Sequence, residues 1–207
     1  MCRRRIASLK NNYFDRWIFM PEIKNRIVRG FTSLFAFTCI AACFQDAYAS
    51  DYGIQVAAGT ADHDVRKADI GMVWDPGLTW WEIGGFHFTV VGEAHAAYWD
   101  IRESGGVHPN IWEFGITPVL RFIKSSGWFR PYVEAGVGVR LLSHVRETED
   151  RTFSSSFQFA DMVGVGAAFG SHQEYQAGFR FQHLSNAGLE HPNPGINFSE
   201  LYLQYNF

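Results

Sequence analysis

From residue 50 onward, apolar and polar side chains alternate with a period of two, in runs bounded by Gly, Pro, Asp and Ser. That is the period of a β-strand, whose successive side chains point to opposite faces. Eight such runs are predicted, at about 51–60, 65–75, 86–101, 110–123, 130–144, 155–169, 174–185 and 197–207. Turn-rich segments separate them, among them Asp62-His63-Asp64, Asp75-Pro76-Gly77, Lys124-Ser125-Ser126-Gly127 and Gly170-Ser171-His172-Gln173. No segment of this body reads as a helix, so the chain is expected to be all-β, either a sandwich or an up-and-down barrel.

The chemistry of the two faces separates these architectures. In the fifth run Val133, Ala135, Val137, Val139 and Leu141 oppose Glu134, Gly136, Gly138 and Arg140. In the seventh, Tyr175, Ala177, Phe179 and Phe181 oppose Gln176, Gly178, Arg180 and Gln182; in the eighth, Leu201, Leu203, Tyr205 and Phe207 oppose Glu200, Tyr202, Gln204 and Asn206. A solvated sandwich face would be rich in Lys, Glu and Thr. Glycine, glutamine and single opposite charges suit the tight polar lumen of a small membrane barrel instead. Trp80, Trp81, Trp99, Trp112, Trp128 and Phe129 stand near predicted strand ends, where an interfacial girdle is expected. The expected fold is an eight-stranded antiparallel up-and-down transmembrane β-barrel covering residues 50–207. With both termini periplasmic, the odd-numbered connections are extracellular, and 186–196 is the last of them.

Composition adds a destination. Residues 1–49 place Lys24, Arg26 and Arg29 before an apolar stretch from Phe31 to Phe44 and then Ala47-Tyr48-Ala49, the order of a secretory signal that is removed. Ile40-Ala41-Ala42-Cys43 resembles a lipobox, which leaves open a lipidated Cys43 instead of cleavage at Ala49. All three cysteines (Cys2, Cys39, Cys43) lie in this region, so the body has no thiol with which to form a disulfide. The full chain has a net charge of −3, and without residues 1–49 it has −8, which argues against a nucleic-acid partner. The expected location is the outer membrane.

One stretch is chemically unusual. His183 and Ser185 stand two residues apart on the seventh run and continue the outward parity of Phe179 and Phe181. Unpaired polar groups are costly against hydrocarbon, yet a histidine within hydrogen-bond reach of a serine can serve as its general base. If the sixth and seventh runs turn around His172, Asp161 falls directly opposite His183 on the same outward face and becomes a candidate acid partner. Asn186, Gly188 and Asn193, in the loop that follows, are candidate oxyanion donors, although a Pro-Asn-Pro-Gly loop also explains a plain turn. The other histidines (His63, His87, His95, His108, His144, His172, His191) show no metal-ligand spacing, and no glycine loop between a strand and a helix would cradle a phosphate. His95 and Glu93 read as a polar pair in the lumen. No metal or cofactor is expected.

The string His183-Leu184-Ser185-Asn186-Ala187-Gly188, followed by Pro192-Asn193-Pro194-Gly195-Ile196-Asn197 and a strand ending in Phe207, resembles the signature of the outer-membrane lipid A 3-O-deacylase family (PagL-type). The close match covers about 25 C-terminal residues. The resemblance implies an esterase that removes the 3-linked hydroxyacyl chain of lipid A, with Ser185 as nucleophile and His183 as base. It also implies lipopolysaccharide as substrate and outer-membrane lipid as the surroundings. In the family form a glutamate orients the histidine, and this chain has Asn197 at that position. An amide still accepts a hydrogen bond from the ring but stabilises an imidazolium less than a carboxylate does. The third member is thus open between Asn197 and Asp161. The sequence also leaves open a homodimer, and it leaves two competing readings: a non-enzymatic small outer-membrane barrel, structural or adhesive, and a soluble secreted β-sandwich.

Overall fold

The two-residue alternation closes into a barrel. The computed structural model describes residues 51–102, 108, 110–146 and 152–207; the expected signal region, with Ala49 and Cys43, lies outside the described residues. Within them are β1 (Asp51–Ala61), β2 (Val65–Asp75), β3 (Thr79–Ile83), β4 (Phe86–Ile101), β5 (Asn110–Lys124), β6 (Phe129–Leu142), β7 (Phe157–Phe169), β8 (Tyr175–Ser185) and β9 (Ile196–Asn206). Eight of these form one antiparallel sheet in the order β2-β1-β9-β8-β7-β6-β5-β4, and pairing of β2 with β4 closes it. Closure leaves the eight long strands without an open edge, which a sheet in hydrocarbon requires.

β3 is the strand that the periodicity missed. It has five residues, all exposed, and pairs only with the start of β4 through Thr79↔Thr89 and Trp80↔Phe88. A strand that buries neither face has no alternation to read. It extends one rim of the barrel, the rim where Asp51 pairs Asp75 and Phe207 N–H donates to Tyr52 O.

Inward side chains fill the lumen in two zones. The middle holds ion pairs: Arg180 meets Glu93 and Glu134 at 2.7 and 2.6 Å, and Arg121 meets the same two carboxylates at 3.3 and 3.0 Å. Lys67 and Arg140 share Glu113, at 3.2 and 2.7 Å. His95 bridges Glu93 and Asp69, 3.1 Å from each, as the lumen pairing expected for it. Glycine is needed where these large groups lie against the wall. A Cβ at Gly115 would run into Arg140, and one at Gly178 into the Tyr202 ring. At the rim opposite Asp51 and Phe207 the lumen turns apolar, with Trp99, Ile111, Phe153, Leu184, Ile196 and Phe198 all buried together.

The outer wall is apolar and exposed, with Val137, Val163, Val165, Leu201 and Leu203 all more than half accessible. Trp80, Trp81, Trp112, Trp128 and Phe129 are exposed near strand ends, as a girdle requires. Trp99 corrects that set. It shares the inward parity of Glu93 and Ile101, is fully buried, donates Nε1–H to Glu113 Oε2 at 2.7 Å and packs on Phe198. Its place near a strand end suggested the girdle, and its parity decides against it.

Candidate active site

Strand register brings the candidate residues to one place. β8 pairs with β9 so that His183 stands opposite Asn197, and with β7 so that His183 stands opposite Asp161. The second pairing is the register expected from a turn around His172. His183, Ser185 and Asn197 are half-buried and Asp161 is exposed, whereas their inward neighbours Gln182, Leu184, Ile196 and Phe198 are buried. The four thus sit on the outer wall at the rim, with the apolar end of the lumen behind them.

His183 Nδ1 lies 2.7 Å from Asn197 Oδ1. A carbonyl oxygen only accepts, so the ring donates from Nδ1, and in the neutral ring the lone pair is then at Nε2. Asp161 lies in register across β7 and lines the same outer surface. Among the described residues, however, the hydrogen bonds of His183 include the one to Asn197 and none to Asp161 or Ser185. A long nucleophile–base separation is common when no substrate is bound, since such contacts tighten in the complex.

The loop 186–195 is held by its own polar groups. Asn186 is buried: its Nδ2 donates to Ser154 Oγ at 2.7 Å and to Glu190 O at 2.8 Å, and its Oδ1 accepts Gly188 N–H at 2.9 Å. Asn186 N–H donates to Asn193 Oδ1 at 3.1 Å. The three residues expected as oxyanion donors all take part in fixing the loop: Asn186 Nδ2 and Gly188 N–H would have to exchange an internal bond to meet a substrate, whereas Asn193 is engaged through its acceptor oxygen. Ser154, from the β6–β7 connection, was not visible as a partner in the sequence, because nothing local ties it to a loop 32 residues away. Gly195 closes the loop over the histidine. Its φ is +62°, and a Cβ there would stand 2.9 Å from His183 Cε1. Only glycine lets the chain turn and lets the ring lie against it.

Below His183 an open groove of ≈ 620 Å³ runs across the wall, lined by Leu120, Ala135, Val137, Asp161, Phe181 and His183 among others. Its walls are almost wholly apolar side chains, so the polar atoms of the site stand at its upper end. A base with a free Nε2, a nearby hydroxyl and an apolar trough beside them suit attack on an ester that carries a long acyl chain.

A family model described as Lipid A 3-O-deacylase (PagL) matches residues 66–206. A protein named Lipid A deacylase PagL from Pseudomonas aeruginosa is 31% identical over 150 residues, covering 72% of this chain and 83% of that protein. One of the same name from Bordetella bronchiseptica is 30% identical over 189 residues, covering 89% of this chain and 97% of that protein. A crystal structure described as the outer membrane enzyme PagL superposes with a TM-score of 0.65 at 27% identity, over 74% of this chain and 98% of its own.

Proposed function

As the chain belongs to the lipid A 3-O-deacylase (PagL) family, we propose that it is an outer-membrane esterase that hydrolyses the 3-O-linked hydroxyacyl chain of lipid A from the lipid-facing wall of its barrel. Ser185 Oγ attacks the ester carbonyl and His183 Nε2 takes the proton. The tetrahedral oxyanion is met by donors of the 186–193 loop, with Asn186 and Gly188 exchanging internal bonds for it and Asn193 donating from Nδ2. Collapse breaks the bond to the sugar oxygen, which leaves with the proton held on His183. Water then attacks the acyl-enzyme with His183 again as base, releasing the hydroxy fatty acid and restoring Ser185. The departing chain lies in the groove along Phe181, Val137 and Leu120, where the bilayer already aligns acyl chains, so proximity needs no separate binding pocket.

The observation that carries this reading is the 2.7 Å contact between His183 and Asn197 on the outer wall. In the neutral ring it turns the Nε2 lone pair toward the face where an ester in the outer leaflet would lie. A barrel with a purely structural role gains nothing from polar groups there. Mass spectrometry of lipid A from a bacterium expressing the chain tests it. Loss of one hydroxyacyl mass with wild type and none with Ser185→Ala is the expected result; an unchanged spectrum with wild type would reject the reading.

Asn197 is proposed as the residue that orients His183, in place of the family glutamate. Asn197→Ala is expected to slow hydrolysis on the order of 100-fold, because the ring loses its tautomer and its aim. Asp161→Asn should change it less than about threefold. Rates on lipid A in mixed micelles check this, and the opposite ranking would make Asp161 the partner.

A further inference from the structure

An asparagine is an ambiguous choice for orienting a base. A carboxylate accepts at both oxygens, so it can hold an imidazole only through Nδ1–H. A carboxamide accepts at Oδ1 and donates at Nδ2, and it fits the same slot either way round. With Oδ1 toward the ring, as it stands, His183 is protonated at Nδ1 and Nε2 is free to receive the Ser185 proton. With the amide reversed, Nδ2 would donate to Nδ1, the ring proton would move to Nε2, and the base would be lost. The site therefore needs a group that tells the two ends of Asn197 apart.

Asp62 is such a group. Its Oδ2 lies 3.5 Å from Asn197 Nδ2, on the side of the amide away from the histidine. A carboxylate has no proton to offer, so it favours the Nδ2 end and repels Oδ1. The fold delivers it there through the β1–β9 pairing. Ala61 stands opposite Phe198, so the first residue beyond β1 arrives beside Asn197. The turn that follows is tight, with His63 and Asp64 at φ 64° and 52°, and Arg102 N–H donates to Asp64 O at 3.2 Å from the neighbouring connection. Histidine and aspartate are among the residues that tolerate this left-handed region.

We propose that Asp62 is a positioning residue: it fixes the orientation of the Asn197 carboxamide and, through it, the tautomer that makes His183 a base. The negative charge that the family form places directly on the histidine is here moved one residue outward, onto a different hairpin. This rests on the Ser185–His183 reading. A tenfold preference between the two amide orientations corresponds to about 1.4 kcal/mol.

The test uses the folded, purified chain in micelles containing lipid A, with folding scored by heat-modifiable migration. Asp62→Ala is expected to lower kcat about tenfold with KM changed less than about twofold. The isosteric Asp62→Asn should fall in the same way, because an amide no longer dictates which end of Asn197 it meets. In an Asn197→Asp or Asn197→Glu background the orienter accepts only, so removing Asp62 should cost nothing or raise kcat by relieving like-charge repulsion. Full activity of Asp62→Ala would overturn the proposal, and so would an equal loss in the carboxylate backgrounds, which would mean that Asp62 merely shapes its turn. Nitrogen-15 spectra of the His183 ring in the wild type give a readout independent of rate: protonation at Nδ1 is expected, and protonation at Nε2 would overturn it. Ser185→Ala and His183→Ala separate the two levels. If both hydrolyse like wild type, the underlying mechanism fails; if both are inactive while Asp62→Ala is unimpaired, only the role of Asp62 fails.

Discussion

His183→Ala is expected to slow ester hydrolysis roughly 10⁴-fold while leaving the barrel as stable as wild type to within about 0.5 kcal/mol. The two halves of this expectation have separate causes. The ring is half-buried on the outer wall, and its recorded hydrogen bond runs to Asn197 on the adjacent strand, so its removal opens no cavity in the lumen. Its replacement by a methyl group even suits an apolar surface. For catalysis, the loss removes the acceptor for the Ser185 proton and, in the second half of the reaction, the base for water. Because the two residues act as one unit, the His183→Ala/Ser185→Ala double variant should be no slower than the worse single one. Turnover in mixed micelles and a urea titration of the refolded barrel check both halves. Additive losses would show that the residues act in separate steps.

The second large effect lies far from the ester. Arg180→Ala is expected to cost about 3–5 kcal/mol of unfolding free energy, read as a lower urea midpoint. Arg180 is buried and holds Glu93 through two hydrogen bonds of 2.8 and 2.7 Å, Glu134 through two of 2.6 and 3.3 Å, and Gln55 at 3.0 Å. Removing it leaves two enclosed carboxylates to share Arg121, with only His95 beside Glu93 and the Tyr202 hydroxyl on Glu134 to help among the described residues, and it opens a space beside the Tyr202 ring, over which the guanidinium sits 4.2 Å from the centroid. Such a network is not a large net source of stability compared with apolar packing, but breaking it strands charge. A loss below about 1 kcal/mol would mean that water enters the lumen and screens these pairs as it does on a surface.

Much of this was legible in the chain because a barrel wall has two chemically distinct faces. Parity alone assigned Arg180, Glu134 and Glu200 to the lumen and His183, Ser185 and Asn197 to the outside, and each lies on that side. The turn around His172 was enough to set the Asp161↔His183 register, since a hairpin fixes the pairing of its strands. What stayed hidden depends on closure and on loops. Asp62 reaches Asn197 across 135 residues because the first and last long strands pair, and no local pattern reports which turn will stand beside which strand end. The bond of Asn186 to Ser154 likewise depends on two loops meeting. The position of Trp99 along its strand suggests the girdle while its parity points inward, and β3 is too short and too exposed to leave a pattern.

The apolar end of the lumen bears on how the second reactant arrives. Hydrolysis consumes water, and many barrels could lead it up from beneath. Here Trp99, Phe153, Leu184, Ile196 and Phe198 occupy that route directly behind the site, above a lower lumen already filled by paired charges. Under the proposed mechanism the ester comes sideways out of the hydrocarbon, and water comes down from the external medium past the 186–195 loop. Ser185 then works at a meeting line between two liquids, with the apolar end of the lumen packed behind it, and the loop that Asn186 pins in place forms part of the shoreline on its outer side.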